Sequence, residues 1–338
     1  MHQELASGTV LRERYELLGL IGQGGMGAVY KAADRRLPGR LCAVKETWPP
    51  PGISAEALAQ ARKQFLREAS TLARLDHPNL PKVSDYFSQA PAGSDGPDLE
   101  RDYLVMDYVP GQDLYQVVQD ANREGRFVEE RQALDWMKQL CDALAYLHRQ
   151  EPPVLHRDIK PANVKLTPEG RIKLVDFGLV KPLDPEDPKT LTGLRGIGSL
   201  PYTPIEQYAG DLGHTDTRSD VYSLGATMYH LLTGQAPASA QDRFLDPQAL
   251  PLPRTVNAAI SPEVERATMA ALALHPNDRP ASVAAWAEML GRAAPTSPVA
   301  AAGRQAEDGG WGQAFRENWW LVVVALAAVV TAVMLTVR

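Results

Sequence analysis

One stretch restricts this chain more than any other: Leu155-His-Arg-Asp-Ile-Lys-Pro-Ala-Asn163, followed by Lys173-Leu-Val-Asp-Phe-Gly178. It sets two acids and an amide, Asp158, Asn163 and Asp176, close together along the chain. All three side chains are hard-oxygen ligands or proton acceptors. A magnesium ion takes such oxygens, usually through one or two carboxylates plus waters and phosphate oxygens. Between the two clusters, Pro168-Glu-Gly170 reads as a tight turn joining two short apolar runs. A hairpin there would bring Asn163 and Asp176 back together.

A second pattern lies upstream. Tyr15 to Gly22 reads as a strand running into Gly22-Gln-Gly24-Gly25-Met-Gly27, and Ala28 to Ala33 reads as the returning strand. In a dinucleotide-binding unit a helix would follow such glycines. Here Val29-Tyr30 follows, and β-branched and aromatic residues favour a strand. The glycines therefore form a hairpin tip, whose bare backbone can approach phosphate oxygens closely. Leu41-Cys-Ala-Val-Lys45 is a short apolar strand carrying one lysine. In the helical stretch 55–75, Phe65, Ala69 and Leu72 share a face, and Glu68 belongs to it. A carboxylate beside an apolar stripe is costly unless paired. Lys45 is the expected partner, with Glu56 a poorer source of that carboxylate.

Together these motifs resemble the protein-kinase family, whose signature set they match over about residues 10–291. Lys160 resembles the Ser/Thr branch, and the whole resembles the bacterial eukaryotic-like (Hanks-type) Ser/Thr kinases. The resemblance implies an α+β fold of two lobes: a small β-rich N-lobe at about 10–107 and a larger helical C-lobe at about 110–291. It implies ATP with Mg2+, or Mn2+ in its place. Asp158 would accept the substrate hydroxyl proton, Lys160 reach the γ-phosphate, and Asn163 and Asp176 hold metal. Lys45, held by Glu68, would fix the α- and β-phosphates. Ile21, Gly22, Gly24, Gly27 and Val29 would cover the nucleotide, with Met106 as gatekeeper and Asp107 to Val109 bonding adenine through the backbone. Asp220 would brace the catalytic loop, Arg279 pair with Glu206, and Ser199 sit near Asp158 and Lys160. His156 and Phe177 would stack with Leu72.

The sequence departs from the pattern twice. Pro204-Ile-Glu206 stands where Ala-Pro-Glu is usual. Lys165 stands where an apolar residue usually lies under adenine, and its stem could cover the ring while the amine reaches solvent. The segment 176–206 carries Thr190 and Thr192, which read as autophosphorylation sites or as turn caps. Arg157 is a cation that such a phosphate could recruit.

Net charge is −6 over 338 residues, so nothing suggests a nucleic-acid partner. The two cysteines, Cys42 and Cys141, sit in apolar runs and fit a reducing compartment. The first residues lack the charged-then-apolar pattern of a signal peptide. After an Ala/Pro/Gly-rich linker at 292–318, Trp319 to Val337 carries no charge. As a helix it would span about 28 Å, close to bilayer thickness. The alternative is a buried terminal helix. The expectation is a single-pass anchor at the cell membrane, catalytic domain cytoplasmic, with a homodimer through the tail as one option. Expected partners are protein substrates bearing Ser or Thr. A membrane-anchored pseudokinase scaffold is the alternative function, and a related small-molecule phosphotransferase is a weaker one.

Overall fold

The structure is a computed structural model; it describes residues 4–24, 27–48, 54–90, 100–176, 181–182, 197–208 and 215–293. Strands β1 (Val10–Leu11), β2 (Tyr15–Gly24), β3 (Gly27–Asp34) and β4 (Leu41–Thr47) follow in antiparallel pairs. Helix α1 (Ala55–Ala73) comes next, then β5 (Val83–Gln89) and β6 (Arg101–Asp107). The six strands form one sheet in the order β1-β2-β3-β4-β6-β5. Alternation along β4 gives the sheet two apolar faces. Cys42 and Val44 join one buried cluster with Tyr30 and Tyr103, whereas Ala43 joins a second with Leu72 of α1 and Leu104.

The larger lobe is helical. Asp113, in the two-residue strand β7 (Gln112–Asp113), caps α2 (Leu114–Arg123) by accepting from the Gln116 amide at 2.9 Å, as its sequence position predicts. Helix α3 (Glu130–His148) leads to β8 (Val154–Leu155), then the hairpin β9 (Val164–Leu166) and β10 (Ile172–Leu174). Strand β11 (Lys181–Pro182) pairs with β8. Then come α4 (Thr217–Thr233), α5 (Ala240–Leu245), α6 (Pro253–Val256), α7 (Pro262–Ala271) and α8 (Val283–Ala293).

Helix α4 is apolar nearly all round, and it is buried from Ser219 to Thr233 between α3, α7 and α8. It stops at Gly234, whose φ of 71° is open to glycine at little cost. The apolar cluster of α3 and α4 runs without a break through Val83, Leu104 and Met106 into the small lobe. The strands that carry the glycine tip and Lys45 are thus packed on the same core as the loop that carries Asp158.

The loop 91–99, most of 177–196, and everything from 294 onward lie outside the described residues. That includes Phe177, Thr190, Thr192 and the apolar run 319–337. Among the described residues, no helix is long and apolar enough to cross a membrane.

Candidate active site

The hairpin read from Pro168-Glu-Gly170 is present. Leu166 pairs with Ile172 and Val164 with Leu174, and the Val175 amide donates to the Asn163 carbonyl at 2.8 Å. Asn163 and Asp176 therefore flank the open end of one hairpin. Asn163 Nδ2 donates to the Asp158 carbonyl at 2.8 Å and to Asp158 Oδ2 at 2.9 Å. Lys160 Nζ donates to the same Oδ2 at 2.9 Å and to Ser199 Oγ at 2.7 Å. Asp158 is thus aimed by an amide and an ammonium, and Ser199 lies where the sequence expected it.

The other half of the site comes from the sheet. Gly22 faces Val29, Val29 faces Lys45, and Lys45 faces Leu104 in one rung across β2, β3, β4 and β6. Gly24 pairs with Gly27 at the tip, with Ile21, Gly22 and Gly24 exposed. From this rung Lys45 reaches across to Asp176 Oδ1, a contact between residues 131 apart in the chain. The Lys45 ammonium holds the Asp176 carboxyl below the usual carboxylate range, against the opposing effect of burial. Lys160 adds to the same field.

The sequence named Glu68 as the partner of Lys45. Among the described residues the ion pair of Lys45 is with Asp176, and none is described between Lys45 and Glu68. Glu68 lies on α1 as its periodicity predicts, half-buried beside buried Ala69 and Leu72, and has an interaction of its own.

Asp220 does brace the catalytic loop. Its two oxygens accept from the His156 amide at 3.0 Å and the Arg157 amide at 2.9 Å, and one of them meets His148 Nε2 at 2.8 Å. Burial would raise its pKa, but His148 and these amides more than offset that and hold it low. The His148 contact had no sequence signal. Arg157 and Asp176 have φ of 64° and 65°, a region costly for residues with a side chain. Such strain persists only where surrounding bonds impose it, and here it sits at both ends of the cluster.

Glu206 and Arg279 form the expected buried pair, bidentate at 2.7 and 2.9 Å, with Ser219 Oγ adding a third bond to the carboxylate. Lys165 differs from expectation. Its amine turns back toward Gly111 O at 3.4 Å and Asp113 Oδ2 at 3.6 Å, because strand pairing sets Lys165 opposite Asp113. Asp107 ends β6, its amide donating to Lys82 O at 3.0 Å, and Met106 and Val109 are buried.

Among the described residues, no three His, Cys, Asp or Glu side chains gather as a metal cage. Asp176 and Asn163 at the hairpin mouth are the residues able to hold a hard cation, and their oxygens fit magnesium, which takes few protein ligands.

Residues 15–287 match the protein kinase domain family, so the chain belongs to it. A small β-rich lobe over a helical one is the fold of that family. Serine/threonine-protein kinase PknA of Mycobacterium tuberculosis is 38% identical over 231 residues, covering 68% of this chain and 49% of its own. A probable serine/threonine-protein kinase PknB of Bifidobacterium longum is 36% identical over 226 residues, 66% of this chain and 31% of its own. The chain thus spans less than half the length of these relatives. The solved structure titled PpkA-294 apo form superposes with a TM-score of 0.64 at 28% identity, covering 85% of this chain and 99% of that one.

Proposed function

We propose that this chain is an ATP- and magnesium-dependent protein kinase that moves the γ-phosphoryl group of ATP to Ser or Thr hydroxyls. The observation that carries this is the meeting of Lys45, Asp158, Lys160, Asn163 and Asp176 beneath the glycine hairpin. The reaction passes through a loose, highly charged transition state, so positioning and charge stabilisation are what the protein must supply. Asp158, aimed by Asn163 and Lys160, orients the hydroxyl and takes its proton. Lys160, bonded to Asp158 and Ser199, would reach the γ-phosphate. Lys45 would hold α- and β-phosphate oxygens, and Asp176 with Asn163 would hold the metal. Magnesium, when bound, neutralises phosphate charge. Gly22, Gly24 and Gly27 would cover the phosphates and exclude water. The pseudokinase alternative would be favoured by loss of Lys45, Asp158 or Asp176, and all three are present.

Incubation of the chain with γ-labelled ATP and a generic Ser/Thr substrate tests this. Transfer is expected from the wild type and not from Asp158→Ala; transfer that persists in the variant would remove Asp158 from its role. The same reading extends to autophosphorylation at Thr190 or Thr192 with Arg157 as the phosphate's partner, checked by site mapping after MgATP. It extends also to a single-pass anchor at 319–337, catalytic domain on the cytoplasmic side, with homodimerisation through that run. Fractionation of the full chain against one ending at Gly312 checks the anchor: if both stay soluble, the anchor is wrong.

A further inference from the structure

The far side of the strand that carries Lys45 holds a polar cluster that the proposed chemistry does not use. Glu46 follows Lys45 on β4, so its side chain leaves the opposite face of the sheet. There it is fully buried, among Cys42, Val44, Tyr30 and Tyr103. A buried carboxylate is tolerated only when its oxygens are satisfied. Glu46 Oε1 accepts from Arg101 Nη1 at 2.7 Å and from the Tyr103 hydroxyl at 3.0 Å, and Oε2 accepts from the Tyr30 hydroxyl at 3.2 Å. The donors come from the two strands that flank β4: Tyr30 from β3, and Arg101 and Tyr103 from β6. Tyr30 in turn accepts from the Leu5 amide at 3.1 Å, so the N-terminal segment is tied to the same cluster.

The location matters more than the bond count. Glu46 lies opposite Ala28 on one side and Tyr103 on the other, the rung next to the one that aligns Val29, Lys45 and Leu104. The Glu46 carbonyl also lies so close to Gly27 that a Cβ built there would fall 1.9 Å from it. One residue therefore locks, from behind, the strand bearing the phosphate-binding lysine and the root of the glycine hairpin.

We infer that Glu46 is a positioning residue for the nucleotide: its buried carboxylate holds β3, β4 and β6 in the register that keeps Lys45 and the glycine hairpin aligned on the phosphates. This rests on the reading of the cleft as a nucleotide site. Glu46 touches no reactant, so its loss acts through binding. Glu46→Ala raises the KM for MgATP about tenfold, the scale of one charge-assisted hydrogen bond, with kcat little changed. Glu46→Gln keeps acceptor capacity for the tyrosines and falls between the two.

The test measures KM and kcat for MgATP, MgADP affinity by calorimetry, and melting temperature, for the wild type and both variants. Tyr30→Phe and Tyr103→Phe each delete one hydroxyl without changing bulk, and they carry the test if Glu46→Ala does not fold. A rise in KM and loss of MgADP affinity, partly restored in Glu46→Gln, supports the inference. A lower melting temperature with KM unchanged across the variants overturns it, because the cluster would then serve stability alone. A wild type that neither binds MgADP nor transfers phosphate overturns the nucleotide reading itself, and this inference with it.

Discussion

At the scale of single residues, Asp220 has the clearest expected consequence. It is fully buried, and its carboxylate is the acceptor for two backbone amides in the segment that carries Asp158. Arg157, which supplies one of these amides, holds a left-handed φ. Asp220→Ala leaves both amides without that acceptor and removes a partner of His148, at about 1–3 kcal/mol for each buried group left unsatisfied. Urea unfolding is expected to show a loss of at least about 2 kcal/mol, together with a fall in phosphoryl transfer. Asp220→Asn retains one acceptor and loses less; a wild-type midpoint in the alanine variant would show that the brace is dispensable. The buried pair of Glu206 and Arg279 behaves differently. Arg279→Met leaves the buried carboxylate without its cation, held by Ser219 and its own backbone amide, and breaking one side of such a pair costs about 3–5 kcal/mol. Unfolding of the variant checks that figure. Both pairings were legible in the sequence because the motif residues come in fixed order along it. Lys45 with Asp176 was not legible, since sequence names the residues of a cleft but not which neighbours pair in it. Glu46 left still less trace: a carboxylate in an apolar strand reads as an exposed edge until its partners are seen.

At the scale of elements, period and punctuation carried most of what could be read. A short apolar run marked β4, the apolar stripe marked α1, and Gly234 stops α4. Capping decides where α4 begins: it starts at Thr217, with Asp216 capping it through the Arg218 amide, before the apolar run. Side-chain direction at an irregular pairing was harder. Lys165 turns toward Asp113 because two-residue β7 pairs with β9, a strand too short to announce itself. The approach of β3 to β4 is another fact that only packing reveals. Gly27→Ala would put a Cβ against the Glu46 carbonyl, a contact relieved only by parting the two strands. The expected result is a weaker MgADP affinity and a lower melting temperature, whereas Gly24→Ala, with open space at its Cβ, affects the melting temperature far less. Equal melting in the two variants would show that the strands can part at little cost.

At the scale of the whole molecule, the buried histidines and carboxylates are all shifted down, and together they make the domain acid-labile. His230 of α4 is buried with its ring accepting from or donating to the Tyr202 hydroxyl at 2.6 Å, and burial lowers its pKa to about 4. His156 is lowered too: burial is the main cause, and it outweighs the nearby acids Asp220, Asp158 and Asp176. A base whose folded pKa lies below its unfolded value takes up protons more readily when unfolded, so stability falls as pH drops below about 6.5. For His230 alone the loss reaches about 3 kcal/mol by about pH 4. The acids Asp176, Glu206 and Asp220 are depressed carboxylates, and their contribution is present above about pH 4.3 and lost on further acidification. Chemical unfolding from pH 8 to pH 4 is therefore expected to show stability declining below pH 6.5, well before the carboxylates titrate. His230→Gln keeps a polar partner for Tyr202 but cannot titrate, so the decline between pH 6.5 and pH 4 becomes shallower whatever the variant's absolute stability. An unchanged slope would mean that α4 admits a charged imidazole at no cost, which its burial from Ser219 to Thr233 makes untenable.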